Sequence, residues 1–470
     1  MKPLVIELND RNVALARDGA VLVSAPSAIF DGSSAEAPGT NAWHALRRQP
    51  RSTSSRHMSV VASASEATER SSALVAAELS LHLAKHPPSA GERVWIAVPV
   101  RADAGGLSEV LGIAQNLGLT VDGFVDAAAV TVASLRTARS ALVLELGLHH
   151  AAAAAVDSGG QARRRRAVVS ESGGLVELYE AWLTFISTAM VKRTRFDPFT
   201  NADTEQQLFD ALPALTRQAA QAGSTTAAVS NGETKFEVSL SRDQFAESAQ
   251  PIYRELVRLL HSLRPAGSEV AIVLPEPVAA LPGLPEMLQQ FVGCELIVTP
   301  DGFAAAATSL LDLPESAAGE PVRLLRRLPL NEQPSLGANV TREVLGRSGS
   351  RALPPSHVLF DGRAFPLGAN PLIVGRSPGV AAPGTASPTA QVVGVVPAAS
   401  ALTLPDGLAG VSRRHCTFVR NGDELVLVDH SHYGTFVNGE RVSERVRIHA
   451  GDKVRLGEPG IELSLISIGA

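Results

Sequence analysis

Two arginine-bearing turns and a serine near the C-terminus carry the side chains best suited to hold a phosphate. The first turn is Gly375-Arg376, at the end of the apolar run Pro371-Leu372-Ile373-Val374. The second is Gly410-Val411-Ser412-Arg413-Arg414-His415-Cys416-Thr417-Phe418, followed by Asp429-His430-Ser431-His432-Tyr433-Gly434-Thr435-Phe436-Val437-Asn438-Gly439. A guanidinium meets an anion through two parallel hydrogen bonds, and a serine hydroxyl supplies a further donor. Arginine alone is weak evidence here, because only five of the 42 basic residues are lysine and the bias runs through the whole chain.

Other residues invite chemistry and are weaker candidates. His149-His150 suggests a metal, but neighbouring residues on a strand face opposite ways and cannot chelate from one face. The run Arg163-Arg164-Arg165-Arg166 reads as a charged hairpin tip, with docking of an acidic partner as the alternative. Cys294 and Cys416 are far apart in sequence and offer neither a disulfide framework nor metal-ligand spacing.

Composition narrows the function classes. At 470 residues the chain exceeds one core and implies two or more domains. Hydrophobic residues make up 45% and aromatic residues 4%, so alanine, valine and leucine must fill the interiors. A net charge of −5 argues against a broad nucleic-acid or anionic-membrane surface. Glu7 and Asp10 interrupt any signal-peptide core, and no run reaches the roughly 18 apolar residues of a spanning helix. The expectation is a soluble cytoplasmic protein with no membrane span.

The elements that would position these residues fall into two textures. Up to about residue 312, strands and helices alternate: strands near 3–8, 12–17 and 20–23 around the turn Asp18-Gly19, a helix over 66–84, a strand at 94–99, a helix over 106–117, then a strand and an alanine-rich helix to 139. A second strand pair, 141–147 and 151–156, repeats the opening, and helices and strands continue to 274. This is an α/β pattern. Residues 313–355 are rich in proline, glycine and serine and read as a linker. From 356 to 470, short strands punctuated by Asp361-Gly362, Asn421-Gly422, Asn438-Gly439 and Gly451-Asp452 indicate an all-β sandwich. Residues 378–399 read as a loop insertion within it.

The order of the first 312 residues resembles the actin-like ATPase superfold, and within it the DnaK-type heat-shock chaperones. The likeness rests on the opening hairpin, Pro26-Ser27-Ala28-Ile29-Phe30, the strand Ile96-Ala97-Val98-Pro99, and the helix beginning Asp126-Ala127-Ala128-Ala129. It implies two similar halves, 1–140 and 141–312, whose hairpins face each other across a nucleotide cleft. The residues needed for that chemistry are altered. Active members use glycine and threonine so that backbone N–H groups close on the phosphates and their magnesium. Here the first hairpin reads Glu7-Leu8-Asn9-Asp10-Arg11 and the second Glu145-Leu146-Gly147-Leu148-His149-His150. Asp10 would repel a polyphosphate and Arg11 would fill its volume. In the adenosine segment, Pro275-Glu276-Pro277 replaces a glycine pair, leaving Gly283 downstream. The expectation is a pseudo-ATPase that hydrolyses no ATP and for which no ATP or magnesium cofactor is implied.

Residues 356–470 resemble a forkhead-associated (FHA) domain, by Gly375-Arg376, Val411-Ser412-Arg413-Arg414-His415, Tyr433-Gly434-Thr435-Phe436-Val437-Asn438-Gly439 and Leu456-Gly457. The resemblance implies phosphothreonine binding, with Arg376 pairing to the phosphate, Ser412 donating its hydroxyl, Arg413 adding charge, and His432, Tyr433 and Asn438 along the peptide. His415 then braces the Ser412 loop. His432-Tyr433 stands where many such domains have serine or threonine and then asparagine, so the amide that grips the peptide backbone is missing.

The leading expectation is therefore a non-catalytic adaptor for a phosphothreonine-containing protein. An ATP-driven chaperone with phosphorylated clients is the alternative from another class. The partner is then a substrate of a serine/threonine kinase or a component of a secretion or envelope assembly. Phosphate-independent docking on the same sandwich is the bland counterpart.

Overall fold

A computed structural model describes residues 2–31, 40–59, 68–135, 137, 139–265, 268–316, 320–330, 340–345, 355–361, 363–377, 400–421, 424–449 and 452–466. The chain divides into two compact units. The first is Met1–Leu260, Val270–Met287 and Glu295–Glu343; the second is His261–Glu269, Leu288–Cys294 and Val344–Ala470.

The first unit is mixed α/β and contains two sheets of the same design. One runs in the order Arg323–Leu325, Val121–Asp126, Val94–Val98, Leu4–Leu8, Asn12–Arg17, Ala20–Pro26. The other runs Arg327–Pro329, Gln161–Ser170, Ala151–Asp157, Ala141–Leu146, Ala271–Pro275, Glu295–Thr299, Thr341–Val344. In each, three sequential strands form an antiparallel meander, and the first of them pairs in parallel with a later strand. The opening meander turns on Asp18 and Gly19, both at positive φ (51° and 80°), as a two-residue hairpin requires.

Each meander's parallel extension leads into a small-residue helix, Ala127–Leu135 in one half and Phe303–Leu310 in the other. These two helices pack between the sheets in one core built from both, including Val5, Trp95 and Val125 with Val143, Val273 and Ile297. Alanine dominates that core, so the two layers come close; this is where the low aromatic content is accommodated. The opposite face of the first sheet is covered by Glu69–Lys85 and Ala104–Asn116 through Leu4, Ile6, Leu79, Val110 and Ile113. Both helices start on capping residues, Thr68 and Asp103, whose side chains accept from Ser71 and Gly106 N–H groups. The aromatic residues gather elsewhere, where Trp182 and Tyr179 on helix Leu175–Thr194 meet Phe245, Phe209 and Trp43.

Two expectations change. The segment expected to be a linker, 313–355, supplies strands: Arg323–Leu325 pairs in parallel with Val121–Asp126, and Arg327–Pro329 pairs antiparallel with Gln161–Ser170. Leu324, Leu325 and Leu328 are interspersed with Arg323, Arg326 and Arg327 there, in strands of three residues too short to display a period. The four-arginine run is likewise not a hairpin tip. It lies inside the strand Gln161–Ser170, and the turn precedes it at 158–160.

The C-terminal part of the second unit is an all-β sandwich. One sheet runs Arg363–Pro366, His357–Phe360, Ile461–Ile466, Lys453–Leu456, Thr435–Val437, Glu440–Arg441; the other runs Ser400–Thr403, Leu372–Gly375, Cys416–Asn421, Glu424–Asp429, Arg445–Ile448. Val358, Val374, Phe418, Leu427, Val437 and Leu463 fill the space between them. The insertion expected at 378–399 lies outside the described residues. Among the described residues, no helix is long and apolar enough to cross a membrane.

Candidate functional site

Arg376 follows the buried strand Leu372–Gly375 and is locked to the Ser412 loop by its backbone. Its N–H bonds to Ser412 O at 3.2 Å, and Ser377 N–H bonds to Arg413 O at 3.0 Å. Gly375 is required for this approach: a Cβ there would lie 2.0 Å from the Arg413 carbonyl oxygen. The half-buried Arg376 donates Nε–H to Val411 O at 2.6 Å, which aims the guanidinium while engaging only one of its three nitrogens. No described carboxylate pairs with it. Charge and donors are therefore held in place and left available.

Ser412 Oγ accepts the His432 amide at 3.1 Å, so a lone pair is engaged and the hydroxyl hydrogen is left to donate. The same loop is braced by His415, which is fully buried. Its Nδ1 accepts from Ser412 N–H at 3.0 Å and its Nε2 donates to Gly434 O at 3.2 Å. Both ring nitrogens are thus committed to a neutral tautomer, and burial lowers the pKa of the imidazole, outweighing the Gly434 contact. The brace joins the Ser412 loop to the 431–434 loop, as the residue types had implied.

Asp429 fixes the second loop. It accepts from Ser431 N–H at 2.9 Å and from Thr435 Oγ1 at 2.6 Å. Burial works to raise its pKa, but the Thr435 and Ser431 hydrogen bonds prevail and hold it below the usual range. Sequence reasoning passed over this brace, although Asp429-His430-Ser431 has the pattern of an Asx turn. Arg413, His432 and Tyr433 are exposed, Tyr433 by 55%, and the two rings meet edge-on at 5.2 Å.

The structure thus brings Arg376, Ser412, Arg413, His432 and Tyr433 to one loop cluster. Asn438 is not among them. It lies at the other end of the short strand Thr435–Val437, where its amide donates to Asp452 at 2.9 Å and its oxygen accepts from Lys453 N–H at 3.0 Å. With φ at 51°, its role is the hairpin turn and the anchoring of the next strand.

The cleft of the first unit is filled by its own side chains. Asp10 Oδ1 accepts Leu148 N–H at 3.0 Å, and Oδ2 accepts His149 N–H at 3.0 Å and lies 3.1 Å from His150 Nδ1. One hairpin's carboxylate therefore occupies the amide groups of the other, the type of group that cradles an anion. Burial opposes ionisation, but the His150 contact and the two amides outweigh it, and the Asp10 pKa is depressed. Gly147 leaves room for this: a Cβ would fall 2.3 Å from Asp10 Oδ1. Arg11 pairs with Asp301, 290 positions away and on no motif that announces it.

Glu7, buried, and Glu145, half-buried, lie on the two hairpins. Glu7 accepts from Ala305 N–H at 3.0 Å, and Glu145 takes Val100 N–H at 3.1 and 3.0 Å with its two oxygens. Burial raises both, pushing Glu145 up to about 7. The space enclosed by these residues with Thr131, Pro275 and Asp301 is about 90 Å³, against the 300 Å³ or more of typical small-molecule sites. Gly283 does not line it; at φ 84° it packs where a Cβ would meet Ala246 at 2.4 Å. His149 turns to Ser55 and His150 to Asp10, so the adjacent pair diverges, in the bend between Ala141–Leu146 and Ala151–Asp157 rather than on a strand. Among the described residues, no group of three or more histidine, cysteine or acidic side chains forms a metal site. Both cysteines are buried.

Comparison with protein families matches residues 373–457 to the FHA domain. The C-terminal sandwich is an FHA domain, and the match spans the loops that carry Arg376, Ser412, Arg413, His432 and Tyr433. No curated protein matches the chain.

Proposed function

We propose that the chain is a non-catalytic adaptor whose FHA domain binds a phosphothreonine-containing segment of a partner protein. The observation that carries this reading is the Arg376–Ser412 pair. The guanidinium is aimed by Val411 O, and the Ser412 hydroxyl accepts from His432 N–H, so both keep donors for a dianion on one loop cluster. Arg413 adds charge at its rim. The His415 and Asp429 braces favour a preorganised site, which lowers the ordering cost of binding.

In this reading the first unit is an actin-like domain of DnaK type that has lost its catalysis. The repeated sheet order, with one helix from each half packed between the layers, supports the fold assignment. Asp10 supports the loss of function, since it holds the amides a nucleotide phosphate would need.

Calorimetry of the full chain with phosphothreonine peptides tests the proposal. Binding to phosphorylated peptides, absent for their unphosphorylated forms and lost in Arg376→Ala, is the expected result. Equal binding of both forms would leave only phosphate-independent docking. Magnesium-dependent ATP turnover would overturn the pseudo-ATPase part and restore the chaperone alternative.

A further inference from the structure

The first unit carries a row of arginines that neither the cleft nor the sandwich uses. In the strand Gln161–Ser170, Arg163 stands directly opposite Arg327 on one side and opposite Asp157 on the other. Directly opposed residues share a sheet face, so two guanidinium groups are neighbours there. Past a bulge between Arg164 and Arg166, Arg166 stands opposite Ala155, two residues from Asp157 and hence on the same face. Arg163, Arg165, Arg166 and Arg327 are all exposed. Arg165 pairs with Asp157 at 3.2 Å; among the described residues, Arg163, Arg166 and Arg327 have no carboxylate partner.

Arg164 differs from its neighbours and shows what a structural arginine looks like in this strand. It pairs with buried Asp126 at 2.9 Å and donates to Val100 O at 2.6 Å. The other arginines do no such work. Like charges placed directly opposite each other lower the stability of a sheet, and here they come from segments more than 150 positions apart that the fold brings together. A face that costs stability and has one acidic residue among four arginines is suited to an external acid.

We infer that this arginine ladder, Arg163, Arg165, Arg166 and Arg327, is a docking surface for an acidic segment of a partner protein. The net charge of −5 disfavours a nucleic acid or an anionic membrane, whose extended charge would meet the rest of the chain as well. A short acidic segment meets only the ladder. Guanidinium groups bind carboxylates bidentately, and neighbouring pairs on one face add up where a single exposed pair would be weak. The surface is separate from the phosphothreonine site and does not depend on it.

The test is fluorescence anisotropy of the full chain with a labelled glutamate-rich peptide at low and physiological salt. The peptide is expected to bind wild type with an affinity that falls as salt rises, to bind the R163Q/R327Q double variant about tenfold more weakly, and to bind Arg376→Ala as it binds wild type. The melting temperature of R163Q/R327Q should equal or exceed that of wild type, because a repulsion has been removed. Arg166→Gln, which faces an alanine, provides a second weakened variant should the double one not fold. No binding by wild type, unchanged binding by the variants, a lower melting temperature for folded R163Q/R327Q, or tighter binding of single-stranded RNA or anionic vesicles than of the peptide would each overturn the inference.

Discussion

The carboxylate of Asp10 lies 3.1 Å from the imidazole of His150, joining the hairpins of the two halves of the first unit. Its depressed pKa ties that joint to acid stability. A depressed carboxyl contributes stability that is complete above its unfolded value, near 3.8, and that is lost as pH falls through the lower folded value. Asp10→Asn should lose this part of the acid limb and cost roughly 1–3 kcal/mol at neutral pH, since one amide or the imidazole is left poorly matched. Urea titrations between pH 3 and 7 read both effects; an unchanged acid limb would count against the joint.

Glu145 works with the opposite sign. Its folded pKa, about 7, lies above its ordinary value of 4.5. The folded state holds the proton more tightly, so its stability falls as pH rises from 4.5 through 7. Glu145→Gln keeps the shape without the charge and should stabilise the first unit above pH 7 by up to roughly 3 kcal/mol. Thermal melts of wild type and variant at pH 5 and 8 should diverge only at the higher pH.

Tyr433 stands where many FHA domains present an amide to the peptide backbone. It is exposed and, among the described residues, its one ring pairing is with the neighbouring imidazole, edge-to-face, so its replacement disturbs little. If the phosphothreonine reading holds, Tyr433→Asn should tighten phosphopeptide binding by roughly tenfold, the equivalent of one good hydrogen bond. Calorimetry against Arg376→Ala as the null would show whether the peptide follows this loop.

His415 couples the sandwich loops to pH. Its folded pKa is lowered by burial, so stability is complete above its ordinary value of 6.5 and is lost as pH falls below it toward the folded value. His415→Ala should flatten that part of the pH profile and lower the FHA melting transition at pH 7.5, because Ser412 N–H and Gly434 O then lose their shared partner. Calorimetric scans from pH 5 to 8 measure it; a parallel downward shift with no change in slope would mean that the histidine only packs.

The sandwich was legible because its signals are local. Turn pairs, alternating apolar residues and the Gly375-Arg376 and Ser412 loops name their places without knowledge of the fold. The opening meander and the first strand pair of the second were legible for the same reason. Asp10 was recognised as an obstacle to phosphate, yet its hydrogen bonds to Leu148 and His149 depend on two hairpins meeting across 138 positions of sequence. Asn438-Gly439 reads as a hairpin turn first and a peptide contact second; the turn is what forms, and only the length of the strand Thr435–Val437 tells that it occupies the end away from the Ser412 loop. The arginine run was misplaced by a few residues, enough to turn a strand into a tip.

The strands Arg323–Leu325 and Arg327–Pro329 follow one another directly in the chain yet complete different sheets. During synthesis, Val121–Asp126 and Gln161–Ser170 must each wait with an open edge until this one segment emerges. One edge of each layer can therefore be closed only together and late, by contacts of long sequence separation, which are slow to form and leave strand edges open to association in the meantime. A chain truncated before residue 323 would keep nearly all of the first unit's core and still leave Val121–Asp126, Gln161–Ser170 and Glu295–Thr299 without their outer partners.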